Sequence, residues 1–190
     1  AVFGLGLVFT LVDLDLGTRL AAAGMLLLAA WLGRYDIARR TIRKPGLPRY
    51  AAICLLTGYV WLAAAGFMGL VYGATAAGPL YDAFLHATFL GFVFSMIFGH
   101  APIIFPAVLG LPVAFQPRAY AYLALLHLGL IVRVAGDLSG DQPVRLWGGL
   151  LNAIAILIFL ASNGLAILQA RRAAAAERSK LKTEAMQKPQ

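Results

Sequence analysis

The sequence predicts an all-α protein, a polytopic bundle of about six transmembrane helices whose two termini both lie in the cytoplasm. Hydrophobic residues make up 61% of the 190 residues and charged residues only 13%, whereas soluble domains carry about 25% charged residues. The apolar residues form long uninterrupted blocks, which exclude a water-soluble globular fold. Most basic residues flank those blocks or lie in the tail, where they orient membrane helices.

The apolar blocks predict the spans in chain order, because a helix needs roughly 20 mainly apolar residues to cross the hydrocarbon core. They cover residues 1–12, 17–33, 50–73, 79–109, 119–136 and 146–170. The first block is short for a crossing. In the fourth block, Pro102 and Pro106 lack the backbone N–H that a helix needs, so an interruption is predicted there. Residues 1–170 thus form the bundle, and residues 171–190 form a basic tail.

Positive charge alternates from loop to loop and predicts the topology. The 34–49 loop carries six Lys and Arg residues, and the 74–81 loop carries none. The 110–118 loop and the 134–145 loop carry one arginine each. In the 134–145 loop, two aspartates offset that charge. By the positive-inside rule, the 34–49 loop, the 110–118 loop and both termini lie in the cytoplasm. The net charge of +8 is thereby explained without nucleic-acid binding.

Several classes of function lack support in the sequence. The single cysteine, Cys54, excludes an internal disulfide framework and a multi-cysteine metal site. No acidic residue falls in the middle of a span, so neither a carboxylate proton relay nor a paired-carboxylate hydrolase is predicted. The chain starts at Ala1 inside an apolar run without a basic n-region, so no signal peptide is predicted.

Three histidines, all of those in the chain, lie within the predicted spans, where an ionisable side chain is costly and indicates function. His86 and His100 are fourteen residues apart on the fourth span, which at about 100° per residue places them on one face. Their separation along the helix axis is about 21 Å, so His86 lies near the outer side and His100 near the cytoplasmic side.

His127, on the antiparallel fifth span, lies about 13 Å below the outer boundary, close to the depth of about 10 Å expected for His86. These depths predict that His86 and His127 face each other as the two axial ligands of a b-type haem, or as ligands of another metal, with His100 separate. Copper is an alternative, although three histidines on one metal would need equal depths. Interhelical hydrogen bonding is the alternative that involves no cofactor.

Arg133, near the outer end of the fifth span, is the candidate for binding a haem propionate, because a planar guanidinium recognises carboxylates well. It lies about 120° from the face that carries His127. The alternative is that its side chain extends to the membrane surface. The sequence leaves both alternatives open.

The segment LHATFLGFVFSMIFGHAPIIFPAVL, residues 85–109, resembles the NnrS-type membrane proteins at His86 and Gly91. That family is associated with haem and copper and with the response to nitric oxide, and it is distantly similar to subunit I of haem–copper oxidases and nitric oxide reductases. The resemblance continues through LLHLGLIVRVAGDL and implies cofactor ligation by His86 and by the other two histidines. NnrS-type proteins are longer, and their GHTGR-like motif is replaced here by GHAPI. The resemblance does not imply a copper site, because three histidines on one metal would be needed and the depths of these three disagree.

These observations predict a haem- or metal-binding protein of a bacterial inner membrane. It would act in respiratory or nitric-oxide-related metabolism as an electron carrier, a sensor or an accessory subunit. Its partners would be the lipid bilayer and other subunits of a respiratory complex, and not nucleic acid. The rival prediction is a cofactor-free structural subunit or assembly factor. Catalysis is not predicted, because a haem with two axial histidines has no open position.

Overall fold

The computed structural model describes residues 1–111 and 115–187, and every regular element in that part of the chain is a helix. The helices are α1 (Val2–Phe9), α2 (Leu14–Tyr35), α3 (Ala38–Thr41), α4 (Leu47–Tyr72), α5 (Pro79–His86), a π-helical segment (Ala87–Val93), α6 (Phe94–Leu109), α7 (Ala119–Ser139) and α8 (Gln142–Gln187). The all-α prediction is confirmed. The end of the predicted tail, 188–190, and part of the predicted 110–118 loop, 112–114, lie outside the described residues.

Five helices are long and apolar enough to cross a membrane, which makes the chain a multi-pass membrane protein. They are Leu14–Tyr35, Leu47–Tyr72, Pro79–Leu109, Ala119–Ser139 and Gln142–Ala176. The third of these combines α5, the π-helical segment and α6 in one continuous rod. Helix α1 has eight residues, too few to cross alone, and it packs against α2.

Two apolar clusters fill the bundle. The first surrounds Phe98, whose ring stacks on Phe159 with 4.2 Å between centroids and meets the edge of the Tyr122 ring at 5.2 Å. The second contains Leu62 of α4 and Ala83 of α5. Together the clusters connect α4 to the helices on either side of it, so α4 is the central helix of the bundle.

Glycines let neighbouring helices approach until their backbones touch. Between α7 and α8, a methyl group added at Gly136 would lie 2.6 Å from the backbone nitrogen of Arg145, and one at Gly148 would overlap the backbone of Arg133. Gly6 of α1 meets the backbone of α2 in the same way. The close α7–α8 contact places the two arginines side by side, where the candidate site is found.

Gly148→Ala is expected to force α7 and α8 apart and to lower the free energy of unfolding by roughly 1–3 kcal/mol, because backbone cannot move aside for the methyl group. Gly164→Ala is the matched control on α8, since a methyl group there meets nothing within 4 Å. Both substitutions bring the same gain in helix propensity. Titration with sodium dodecyl sulfate, followed by circular dichroism, measures the difference. Equal stability of the two variants would contradict the close contact.

The π-helical segment changes which face of the fourth span each histidine occupies. A π turn takes one residue more than an α turn, so residues after it are set back by about 100°. The prediction that His86 and His100 share one face assumed unbroken α-helix and is therefore wrong: His86 is half-buried, whereas His100 is exposed. The predicted interruption at Pro102 and Pro106 is also wrong, because α6 continues through both prolines to Leu109.

Candidate functional site

Three helix ends meet at one end of the bundle and bring four charged side chains together. Asp82 lies in the first turn of α5, Arg133 and Asp137 lie near the end of α7, and Arg145 lies in the first turn of α8. Each arginine contacts both aspartates. We call these four residues the charge ring.

Arg145 makes the shortest contacts in the charge ring. Its Nε donates to Asp137 Oδ1 at 2.6 Å, and its Nη2 donates to Asp82 Oδ2 at 2.6 Å. Arg133 donates from Nε to Asp137 Oδ2 at 3.2 Å and from Nη2 to Asp82 Oδ2 at 3.4 Å. The side chain of Asp137 is fully buried, and those of the two arginines are only 14% and 17% exposed. Because its charges balance, the ring holds α5, α7 and α8 together without presenting net charge.

All three guanidinium nitrogens of Arg133 have protein partners, since Nη1 donates to the carbonyl oxygen of Arg145 at 3.2 Å. Two of its five N–H groups are left for a haem propionate, which would compete with both aspartates for Arg133. The Arg133 side chain also lies where three helices meet and is only 14% exposed. Propionate binding by Arg133 stays a prediction, and the charge ring accounts for this residue without a cofactor.

His86 is the last residue of α5, one turn after Asp82 and directly before the π-helical segment. Its Nδ1 lies 2.7 Å from the carbonyl oxygen of Asp82, and because a carbonyl can only accept, Nδ1 carries the proton. In a neutral imidazole this leaves the lone pair of Nε2 free, the arrangement found in histidines that bind metals. The donor chemistry of His86 therefore fits an axial ligand of haem iron.

His127 of α7 is bound by Trp61 of α4, whose Nε1 donates to His127 Nδ1 at 3.0 Å. Because Nδ1 accepts, the proton of the neutral imidazole is on Nε2, which is buried and has no partner among the described residues. A ring nitrogen that carries a proton has no lone pair for iron. The pairing of His127 with His86 stays a prediction, and it requires the hydrogen bond from Trp61 to break.

Trp61→Phe is expected to lower the free energy of unfolding by roughly 1–3 kcal/mol, because it leaves Nδ1 of the half-buried His127 without a donor. Trp147→Phe is the control, since Trp147 is an exposed residue of α8. Adding His127→Leu to Trp61→Phe is expected to recover part of the loss, because no polar atom is then left unpaired. The detergent titration described above measures all three variants, and an unchanged stability of Trp61→Phe would contradict this hydrogen bond.

His100 has surroundings of its own. Its Nδ1 donates to the carbonyl oxygen of Met96 at 2.7 Å, so its Nε2 lone pair is also free. It is exposed and lines an apolar groove of about 320 Å³ between α3, α4 and α6. His100 is therefore exposed on the outside of the bundle, whereas His86 is half-buried.

Among the side chains that the structure describes, those of residues 1–111, 115–176 and 178, no three His, Cys, Asp or Glu are grouped so that they could hold a metal ion. This finding does not bear on haem binding, because a protein supplies only one or two ligands to a haem iron. Of the three histidines, His86 is the one whose tautomer and half-buried position both fit ligation inside the bundle.

Three members of the charge ring, Asp82, Asp137 and Arg145, were not predicted from the sequence. One signal was present: Arg133 and Asp137 are four residues apart, the spacing that brings opposite charges together on a helix. The other signal is topological, since the predicted spans place the start of α5, the end of α7 and the start of α8 at one membrane surface. Neither signal shows by itself that the four side chains close into a ring.

A family model described as Domain of unknown function (DUF8744) matches residues 1–168. The chain belongs to this family. The charge ring and the three histidines all lie inside the matched region. Searches of curated proteins and of solved structures gave no match. The resemblance to NnrS-type proteins stays a prediction.

Proposed function

We propose that this chain is a haem-binding membrane protein in which Nε2 of His86 would bind the iron. The observation that carries the proposal is the hydrogen bond from His86 Nδ1 to the Asp82 carbonyl oxygen, which gives the ring the tautomer that ligation needs. Haem bound there would supply a redox-active iron within the bundle. The charge ring lies one turn away and holds α5 against α7 and α8, so His86 is carried by a firmly packed helix.

The role proposed for this haem protein lies in respiratory or nitric-oxide-related metabolism, as an electron carrier, a sensor or an accessory subunit of a respiratory complex. Its support is the resemblance of the segment around His86 to NnrS-type proteins. The location proposed is the inner membrane of a bacterium. Both termini would be cytoplasmic after six crossings, with α1 as part of the first, because the basic loops alternate with neutral ones.

The test is a reduced-minus-oxidised absorption spectrum of the detergent-purified protein, with pyridine haemochrome and metal analysis of the same sample. A Soret band and an α band, at a haem content near one per chain, would support the proposal. A flat spectrum from protein expressed with haem precursor in excess would contradict it. Nitric oxide titration of the reduced sample then distinguishes a sensor from an electron carrier.

A cofactor-free structural subunit or assembly factor is the second candidate. The observation that favours it is that His127 and Arg133 both have protein partners, so neither needs a cofactor to explain it. If this candidate is correct, the wild-type protein shows no visible absorption. His86→Ala then changes only the stability of the protein. The same spectrum therefore separates the two candidates.

A further inference from the structure

A basic hollow and an apolar groove adjoin each other at the loop between α2 and α4. Four arginines line the hollow, which has a volume of about 860 Å³: Arg34, Arg39, Arg40 and Arg43. The groove is the one that His100 lines, along α4 and α6. Asp36 and Ile37 line both spaces, so the hollow and the groove are neighbours.

The basic hollow carries an excess of positive charge, since four arginines and one aspartate line it. All four arginines are exposed, and none forms an ion pair with an acidic side chain of the described residues. Asp36 also lines the hollow and keeps its negative charge: Oδ1 accepts from the Ala38 backbone nitrogen at 2.6 Å, and Oδ2 accepts from the Tyr59 hydroxyl at 2.9 Å. The hollow therefore presents four guanidinium groups to an anion.

The surroundings of the hollow indicate a membrane surface. Trp31, Tyr35 and Ile37 lie beside the arginines and are 59%, 68% and 69% exposed. Aromatic side chains with this exposure are typical of the boundary between lipid and water. The groove leads from this boundary along the two spanning helices, between Leu55 of α4 and Ile103 of α6. An occupant of both spaces has an anionic head and an apolar chain.

We propose that the basic hollow and the apolar groove together bind one anionic phospholipid. The phosphodiester lies among the arginines, whose planar guanidinium groups recognise phosphate oxygens, and one acyl chain lies in the groove. The arginines alone would attract any anion. The groove selects an anion that carries an acyl chain, which is why a lipid and not free phosphate is the ligand.

The test for the head group is a titration of the purified full chain with phosphatidylglycerol or phosphatidylcholine, read as lipid adducts by native mass spectrometry. Arg39→Gln/Arg40→Gln/Arg43→Gln is expected to weaken phosphatidylglycerol binding by about 100-fold, because each basic residue near an anionic surface contributes to binding. The control is Arg171→Gln/Arg172→Gln/Arg178→Gln, which removes the same charge from exposed positions on α8 and is expected to bind as the wild type does. Two results overturn the proposal: equal weakening of phosphatidylglycerol binding in both variants, or binding of phosphatidylcholine by the wild-type protein as tight as its binding of phosphatidylglycerol.

The test for the groove uses Ala51→Phe, with Ala51→Leu as a milder variant that keeps the fold if the larger side chain does not. Ala51 lines the groove, so filling it is expected to weaken binding of dioleoyl phosphatidylglycerol while leaving binding of the dihexanoyl form unchanged. Equal effects on both lipids, or displacement of the lipid by millimolar inorganic phosphate, would overturn the proposal. A third result would also overturn the proposal: a visible absorption band present in the wild type and absent from both His100→Ala and the triple variant of Arg39, Arg40 and Arg43. The occupant would then be a haem whose propionates contact the arginines.

Discussion

Asp137→Asn is expected to lower the free energy of unfolding by about 3–5 kcal/mol, the largest effect of any single substitution considered. Asp137 is fully buried and accepts from both arginines of the charge ring. The substitution keeps the shape of the side chain and removes its charge. Two guanidinium groups must then share the one remaining carboxylate, that of Asp82, in a place that water reaches poorly.

The measurement is titration of the detergent-solubilised protein with sodium dodecyl sulfate, followed by far-ultraviolet circular dichroism. Asp141→Asn is the matched control, because Asp141 is exposed, lies four residues further along the chain and undergoes the same chemical change. Its Oδ1 caps the backbone nitrogen of Val144 at 3.1 Å, and asparagine caps a helix as well as aspartate does. A loss in Asp141→Asn as large as that in Asp137→Asn would show that the effect does not come from the ring.

A double variant separates charge balance from shape in the charge ring. Asp137→Asn combined with Arg145→Gln removes one charge of each sign and leaves Arg133 opposite Asp82. Because the remaining pair is neutral, the double variant is expected to be more stable than Asp137→Asn alone. A double variant less stable than the single one would falsify the description of these residues as a balanced unit.

The spans could be predicted from the sequence, because a run of apolar residues long enough to cross lipid has few other solutions. The predicted span 50–73 corresponds to α4 at Leu47–Tyr72, and the predicted span 119–136 corresponds to α7 at Ala119–Ser139. The π-helical segment could not be predicted. Its sequence, ATFLGFV, is as apolar as its neighbours, and the change from i→i+4 to i→i+5 bonding leaves no mark in hydropathy.

The candidate site could be predicted only in part. Membrane burial singled out the histidines, because polar side chains are costly there. The tautomer of His127 depends on Trp61, which is 66 residues earlier in the chain, so no local pattern reveals it. The charge ring likewise joins Asp82 to Arg145 across 63 residues. Such contacts depend on how the helices pack at their glycines, because this packing sets how each helix is turned about its axis and how far it is shifted along it.

His86→Ala is expected to reduce the haem bound per chain by roughly 10-fold or more, since it removes the proposed axial ligand. The measurement is the pyridine haemochrome content of the purified variant, with circular dichroism to show that the helices are retained. His100→Ala is the matched control: the same residue type is removed from the same spanning rod at an exposed position, so haem content is expected to stay at the wild-type level. Equal loss in the two variants contradicts the assignment of His86.

His127→Ala then shows whether the iron has one protein ligand or two. The hydrogen bond from Trp61 places the proton of His127 on Nε2, so His127→Ala is expected to retain haem. If haem is lost while circular dichroism shows that the helices are retained, His127 would be a second protein ligand of the iron, and binding would have to break the Trp61 hydrogen bond. Trp61→Phe, which removes the competing donor, would in that case strengthen haem binding even though it destabilises the protein without haem. Opposite effects of Trp61→Phe on stability and on haem affinity are thus the signature of the His86–His127 pair, and haem content unaffected by His127→Ala is the signature of His86 alone.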